Sequence, residues 1–145
     1  MKIHFCKSRD IGGLIIRLFT FSRWNHVAIE VGGIVYESVT AGGVRSVPAR
    51  SFPQLWNSTE SVSVAVENPT LLLAFLKEQV GKPYDWAAIF ALPFRKSWHA
   101  RDKWFCSELV AEALIAGGSD AIPRIKSFRV TPRDLWIALP LKVAH

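Results

Sequence analysis

Apolar residues recur at Leu109, Val110, Ala113 and Leu114 in the stretch Trp104-Phe105-Cys106-Ser107-Glu108-Leu109-Val110-Ala111-Glu112-Ala113-Leu114. That spacing predicts an α-helix with one face against a core. Glu108 and Glu112 fall four apart on its solvated face, and Gly117-Gly118 stops it. Cys106 stands where the helix begins and shares the side of Val110. A free cysteine at this place reads as a small buried hydrophobe or, because a helix N-terminus stabilises a thiolate, as a nucleophile. The second reading needs a base from elsewhere in the chain.

Other stretches alternate with period two. Ile3-His4-Phe5-Cys6 predicts a first strand with His4 and Cys6 on one face. Residues 25–31 and 34–39 are rich in β-formers and flank Gly32-Gly33, which predicts a hairpin closed by a two-residue turn. With Val31 opposite Ile34, Ala28 would oppose Glu37 and His26 would oppose Val39, all four on one face. His26 and Glu37 are then diagonal neighbours, about 7–8 Å apart at the backbone, which lets a glutamate reach an imidazole. Glu30 shares the face but lies about 13 Å along the strand from His26, too far to orient it.

Further on, Gly42-Gly43 predicts a turn, residues 44–48 a strand, and residues 49–56 a short helix broken at Pro53. Ser61-Val62-Ser63-Val64-Ala65-Val66 reads as a half-buried strand. Asn68 caps a helix with Pro69 at its first position, with Leu72, Phe75, Leu76 and Val80 inward, ending at Gly81. Asp10 caps an earlier helix with a stripe of Ile11, Leu14, Ile15 and Leu18, and Asp85 caps a short one. Thr131-Pro132-Arg133-Asp134-Leu135-Trp136 reads as a capped single turn and Leu141-Lys142-Val143 as a last edge strand. With no repeat or linker, one α+β domain over the 145 residues is expected.

Composition narrows the function. Two cysteines are no disulfide framework, although Cys6 and Cys106 could pair in principle. His4 and Cys6 could be metal ligands, but no second pair stands at zinc spacing, so neither a metal nor another cofactor is expected. The first residues hold no apolar signal core and no run reaches the roughly 18 apolar residues of a membrane span, which makes a cytoplasmic protein the default. A net charge of +6 favours an anionic partner: a phospholipid surface, an acidic wall polymer or nucleic acid. No helix-turn-helix, zinc finger or RNA-binding signature is present, so specific nucleic-acid recognition is not expected. Arg95, Lys96, Trp98, His99, Arg101 and Lys103 lead into Cys106, and Arg124, Lys126 and Arg129 follow its helix; together they could flank a groove for an anionic substrate.

A histidine on a strand, an acid on the partner strand and a cysteine opening a late helix come in an order that resembles the circularly permuted papain-like hydrolases. The chain looks most like the YaeF/YiiX-like amidases, relatives of the NlpC-type cell-wall peptidases and of the lecithin:retinol acyltransferases. The resemblance is carried by Trp24-Asn25-His26-Val27-Ala28-Ile29, Gly81-Lys82-Pro83-Tyr84-Asp85-Trp86, Phe105-Cys106-Ser107-Glu108-Leu109-Val110 and Thr131-Pro132-Arg133-Asp134-Leu135. It implies a permuted papain-like (NlpC-like) α+β fold, an antiparallel sheet packed on the nucleophile's helix. It also implies Cys106 as nucleophile, His26 as base and Glu37 as third member. Tyr84 matches the tyrosine of the proline-tyrosine pair in NlpC-type enzymes, whose hydroxyl lies beside the nucleophile; the Gly-Gly pair that follows there is Ala87-Ala88 here. Tyr84 and Trp104 are the candidate oxyanion or substrate-binding residues.

These roles amount to acyl transfer through a thioester: Cys106 attacks an amide or ester carbonyl, His26 protonates the leaving group, and the Cys106 N–H with the Tyr84 hydroxyl faces the oxyanion. The expected function is a cysteine amidase or peptidase on peptidoglycan-type amides, in a bacterial or phage setting where lysis would release it to the wall. The alternatives are a lipid acyltransferase or thioesterase and a non-enzymatic binder of an anionic polymer.

Overall fold

The computed structural model describes residues 1–8, 22–86, 102–119 and 130–139. The helix expected after Asp10, most of the one after Asp85, the basic clusters at 95–101 and 124–129 and the strand at 141–143 lie outside them. Five strands form one antiparallel sheet: β1 (Lys2–Lys7), β2 (His26–Val31), β3 (Ile34–Val39), β4 (Gly43–Pro48) and β5 (Ser58–Ser63), in the spatial order β4-β3-β2-β1-β5. Three helices complete the described α+β architecture: α1 (Pro69–Gln79), α2 (Cys106–Ala116) and α3 (Pro132–Ala138). None is long and apolar enough to cross a membrane.

The strand pattern sorts side chains onto two covered faces. Ile3, Phe5, Val27, Ile29, Tyr36 and Val62 join the main core with Leu72 and Leu76 of α1 and Leu109, Val110, Ala113 and Leu114 of α2. The alternate positions include Cys6, Ala28 and Val35, which pack beneath Phe52 of a short 3-10 helix (Phe52–Leu55) and against Trp56. That 3-10 helix replaces the longer one expected at 49–56; Pro53 stands at its start, where a missing N–H costs nothing. α3 has a full capping box, Thr131 with Asp134, and runs seven residues rather than the single turn expected.

Gly32 and Gly33, at φ of 58° and 79°, make the tight turn predicted between β2 and β3. The register is as expected at Val31↔Ile34, Glu30↔Val35 and Ile29↔Tyr36, but the ladder ends there. The further pairs expected, Ala28 with Glu37 and His26 with Val39, do not form. Beyond Ile29, β2 pairs only with β1, as in Cys6↔His26, and β3 only with β4, as in Glu37↔Arg45. The sheet opens between them, and the Ser38 hydroxyl donates to the carbonyl of Trp104, on the segment leading into α2, at 2.7 Å.

Three other expectations are corrected. β5 lies three residues earlier than the alternation at 61–66 suggests, because its partner β1 supplies pairs only for Ser58 to Ser63. Val80 is exposed rather than inward: the chain leaves helical geometry there, and the buried position falls to Gln79. Glu108 is buried rather than solvated, because α2 is enclosed by α1, α3, β2 and β3 and its first turn is covered on every side.

Candidate active site

Cys106 is the first residue of α2, following Phe105 in an extended conformation that brings no side-chain cap to the helix start. The first-turn amides therefore leave their partial positive charge at the thiol. His26 is the first residue of β2, beside the opening in the sheet. Its Nε2 lies 2.8 Å from Glu37 Oε2, and the Cys106 side chain lies close enough to interact with the ring. With Nε2 on the carboxylate, Nδ1 is the nitrogen left for the thiol. Burial pulls the imidazole pKa down, but the hydrogen bonds and charges of Cys106 and Glu37 outweigh it and raise it to about 9.

Glu37 is fully buried. Burial alone would raise its pKa, but the His26 ring and the Arg45 guanidinium hold it below the ordinary carboxylate value. Arg45 donates to the other oxygen, Oε1, from Nε at 2.9 Å and from Nη2 at 2.8 Å. Trp56 stacks on the His26 ring, centroids 4.3 Å apart and planes 12° from parallel. Sequence reasoning missed both residues. Arg45 had a signal, because it stands directly opposite Glu37 in the β3–β4 pairing. Trp56 had none, since it reaches His26 from a segment without periodicity.

The proline-tyrosine segment meets the segment leading into Cys106 through backbone. Tyr84 and Trp104 form an isolated parallel bridge, in which Trp104 N donates to Pro83 O at 3.1 Å and Asp85 N donates to Trp104 O at 3.2 Å. Burial, followed by the charges of Cys106 and Asp85, pushes the Tyr84 phenol pKa far up, so it stays a neutral donor near the thiol. Trp104 is differently placed from the substrate-facing role expected of it. Its indole N–H donates to Gln79 at 3.2 Å and its ring meets Phe75 edge-on, so it braces the approach to Cys106.

Cys6 and Cys106 are both free and buried. Cys6 accepts only a long contact from the Thr59 hydroxyl at 3.8 Å, and burial pushes its thiol well above the ordinary range. Glu30, set aside as an orienter of His26, pairs with His4, whose ring nitrogens contact Glu30 and Ser61. A thiol beside an imidazole that is held by a buried carboxylate has the parts nucleophilic acyl transfer requires. Comparison of the chain with protein-family models and with curated proteins finds no match.

Proposed function

We propose that this chain is a cysteine amidase or peptidase of the permuted papain-like kind, acting through a thioester on amide bonds of the peptidoglycan-stem type. The observation that supports it is the single ring of His26, which interacts with Cys106 at the head of α2 and is hydrogen-bonded to the buried Glu37. His26, charged at neutral pH, keeps the Cys106 proton on its ring and delivers it to the leaving amine, while Glu37 holds the ring in place through Nε2. The Cys106 N–H and the Tyr84 hydroxyl stabilise the developing oxyanion. The peptide preference rests on the four motifs and on the net charge of +6, which favours carboxylated substrates.

The test is turnover of muropeptides and of acyl-chain esters by wild type, Cys106→Ala and Tyr84→Phe at two ionic strengths. Amide cleavage should vanish in Cys106→Ala, fall roughly 100-fold in kcat in Tyr84→Phe as for loss of an oxyanion donor, and weaken as salt rises. Cys106-dependent turnover confined to esters would replace the amidase with a lipid acyltransferase or thioesterase. No turnover of either substrate, with polymer binding intact in Cys106→Ala, would leave a binding module.

A further inference from the structure

We propose that Ser61, His4 and Glu30 form a second nucleophilic site, independent of Cys106, at which the Ser61 hydroxyl takes an acyl group from a small activated ester. The strand register assembles it. Ser61 on β5 pairs with His4 on β1, and Glu30 on β2 pairs with Lys2, two residues from His4 on the same face. His4 Nδ1 lies 2.7 Å from Ser61 Oγ and His4 Nε2 lies 2.9 Å from Glu30 Oε2. An ionised carboxylate only accepts, so Nε2 carries the ring proton. Nδ1 then offers a lone pair to the serine O–H. At His26, too, Nε2 faces a carboxylate.

The surroundings fit a base rather than a passive link. His4 is buried under Phe52, ring centroids 5.2 Å apart. Burial, first among the causes, lowers its pKa below 6.5 despite Glu30, so the ring is unprotonated at neutral pH. Ser61 is exposed, on the strand at the end of the sheet. Val64 N donates to Met1 O in line with the β1–β5 register, which turns the amides of even-numbered β5 residues toward β1. By the alternation of an antiparallel ladder, the Ser61 amide points outward off the edge, where it can serve as a donor to an oxyanion.

In the reaction the Ser61 Oγ–carbon bond forms as its proton passes to His4 Nδ1, and Glu30 stabilises the resulting imidazolium. The tetrahedral adduct collapses by breaking the carbon–oxygen bond of the ester, and the leaving alcohol takes the proton from Nδ1. Water, deprotonated by the same nitrogen, then cleaves the serine ester and releases the acid.

The test uses the full chain as Cys106→Ala, so that no signal comes from the thiol, and a fluorophosphonate probe. That probe forms an oxygen–phosphorus bond to serine and expels fluoride. Peptide mass mapping compares Ser61 with Ser58 and Ser63, exposed serines on the same strand that serve as internal controls. Ser61 should label at least about 100-fold faster than either, the low end of general-base assistance. Glu30→Gln should bring it down to their rate, and Ser61→Ala should abolish both the adduct and p-nitrophenyl acetate hydrolysis. Labelling of Ser61 no faster than Ser63, or a rate unchanged in Glu30→Gln, would overturn the proposal. Neither result bears on Cys106.

Discussion

Replacing Arg45 by methionine keeps most of the aliphatic stem and removes the two donors that meet Glu37 Oε1 at 2.8 and 2.9 Å. Hydrogen bonds to charged groups contribute about 1.5–3 kcal/mol when well buried. The Arg45 side chain is 41% exposed, so water takes over part of the interaction, and Glu37 keeps its bond to His26. The expected loss is therefore about 2 kcal/mol at neutral pH, well under the roughly 3–5 kcal/mol for stranding a fully buried charge. For a chain of this length that corresponds to a fall in Tm of about 5–8 °C. Arg45→Lys should recover only part of it, because a point charge cannot make both contacts to one oxygen.

The assay is a series of thermal melts of wild type and Arg45→Met from pH 3.5 to pH 8. Glu37 has a folded-state pKa below its ordinary 4.5, so its contribution is present above that value and is lost as pH falls through the lowered one. The gap between the two proteins should thus be full at neutral pH and narrow once the carboxylate protonates. No gap at pH 7 would refute the reasoning, since it means the guanidinium is solvated and does not hold the ionised carboxylate, as would a gap that widens as pH falls.

Cys106→Ala removes the largest of the influences that raise His26, so its imidazole midpoint, followed by NMR, should drop well below the wild-type value of about 9. In the wild type the stability tied to the charged ring is fully present below pH 6.5 and is lost as pH rises through about 9; the variant should lose it at lower pH, and an unmoved midpoint would rule out the Cys106 contact. Gly43→Ala should destabilise by about 2–4 kcal/mol, because Gly43 has φ of +70° and an added Cβ would overlap Lys82 O and come within 2.9 Å of Pro83 Cα. Gly32→Ala, where a Cβ meets nothing within 4 Å, should show only the backbone cost of about 1–2 kcal/mol in the same denaturant titration.

What the sequence made legible follows from local physics. The Gly32-Gly33 turn set the register from which the His26–Glu37 contact was read, and Asn68-Pro69 and Thr131-Pro132 marked helix starts that the structure retains. What it hid depends on neighbours distant in the chain. Glu108 looks solvated by helical spacing, but four elements enclose its turn. The parting of β2 from β3 has no periodic signature, since both strands continue to alternate and simply keep their outer partners. Trp104 beside Cys106 reads as a substrate contact until the acceptor of its N–H, Gln79, is known from the end of α1.

The opening in the sheet explains how a thiol on a helix can meet an imidazole and a carboxylate on strands. Ser38 and Val44 are partners in the β3–β4 ladder. Val44 N donates to Lys82 O and Gly81 N to Val44 O, both at 2.8 Å; Pro83 and Asp85 then bond to Trp104, whose carbonyl accepts from Ser38. The circuit closes on itself. Glu37 and Arg45 are the next residues along β3 and β4 from Ser38 and Val44, while Tyr84 lies within the circuit and Cys106 two residues beyond Trp104. Each bond is individually modest, about 0.5–1.5 kcal/mol net, yet all but the one from the Ser38 hydroxyl join backbone groups with little freedom to drift. The absence of a Cβ at Gly43 lets the 81–83 segment approach β4 closely enough to join the circuit. The backbone positions of Cys106, Tyr84 and Glu37 are therefore set largely by main chain, while Arg45 holds the Glu37 carboxylate and Trp56 stacks on the His26 ring.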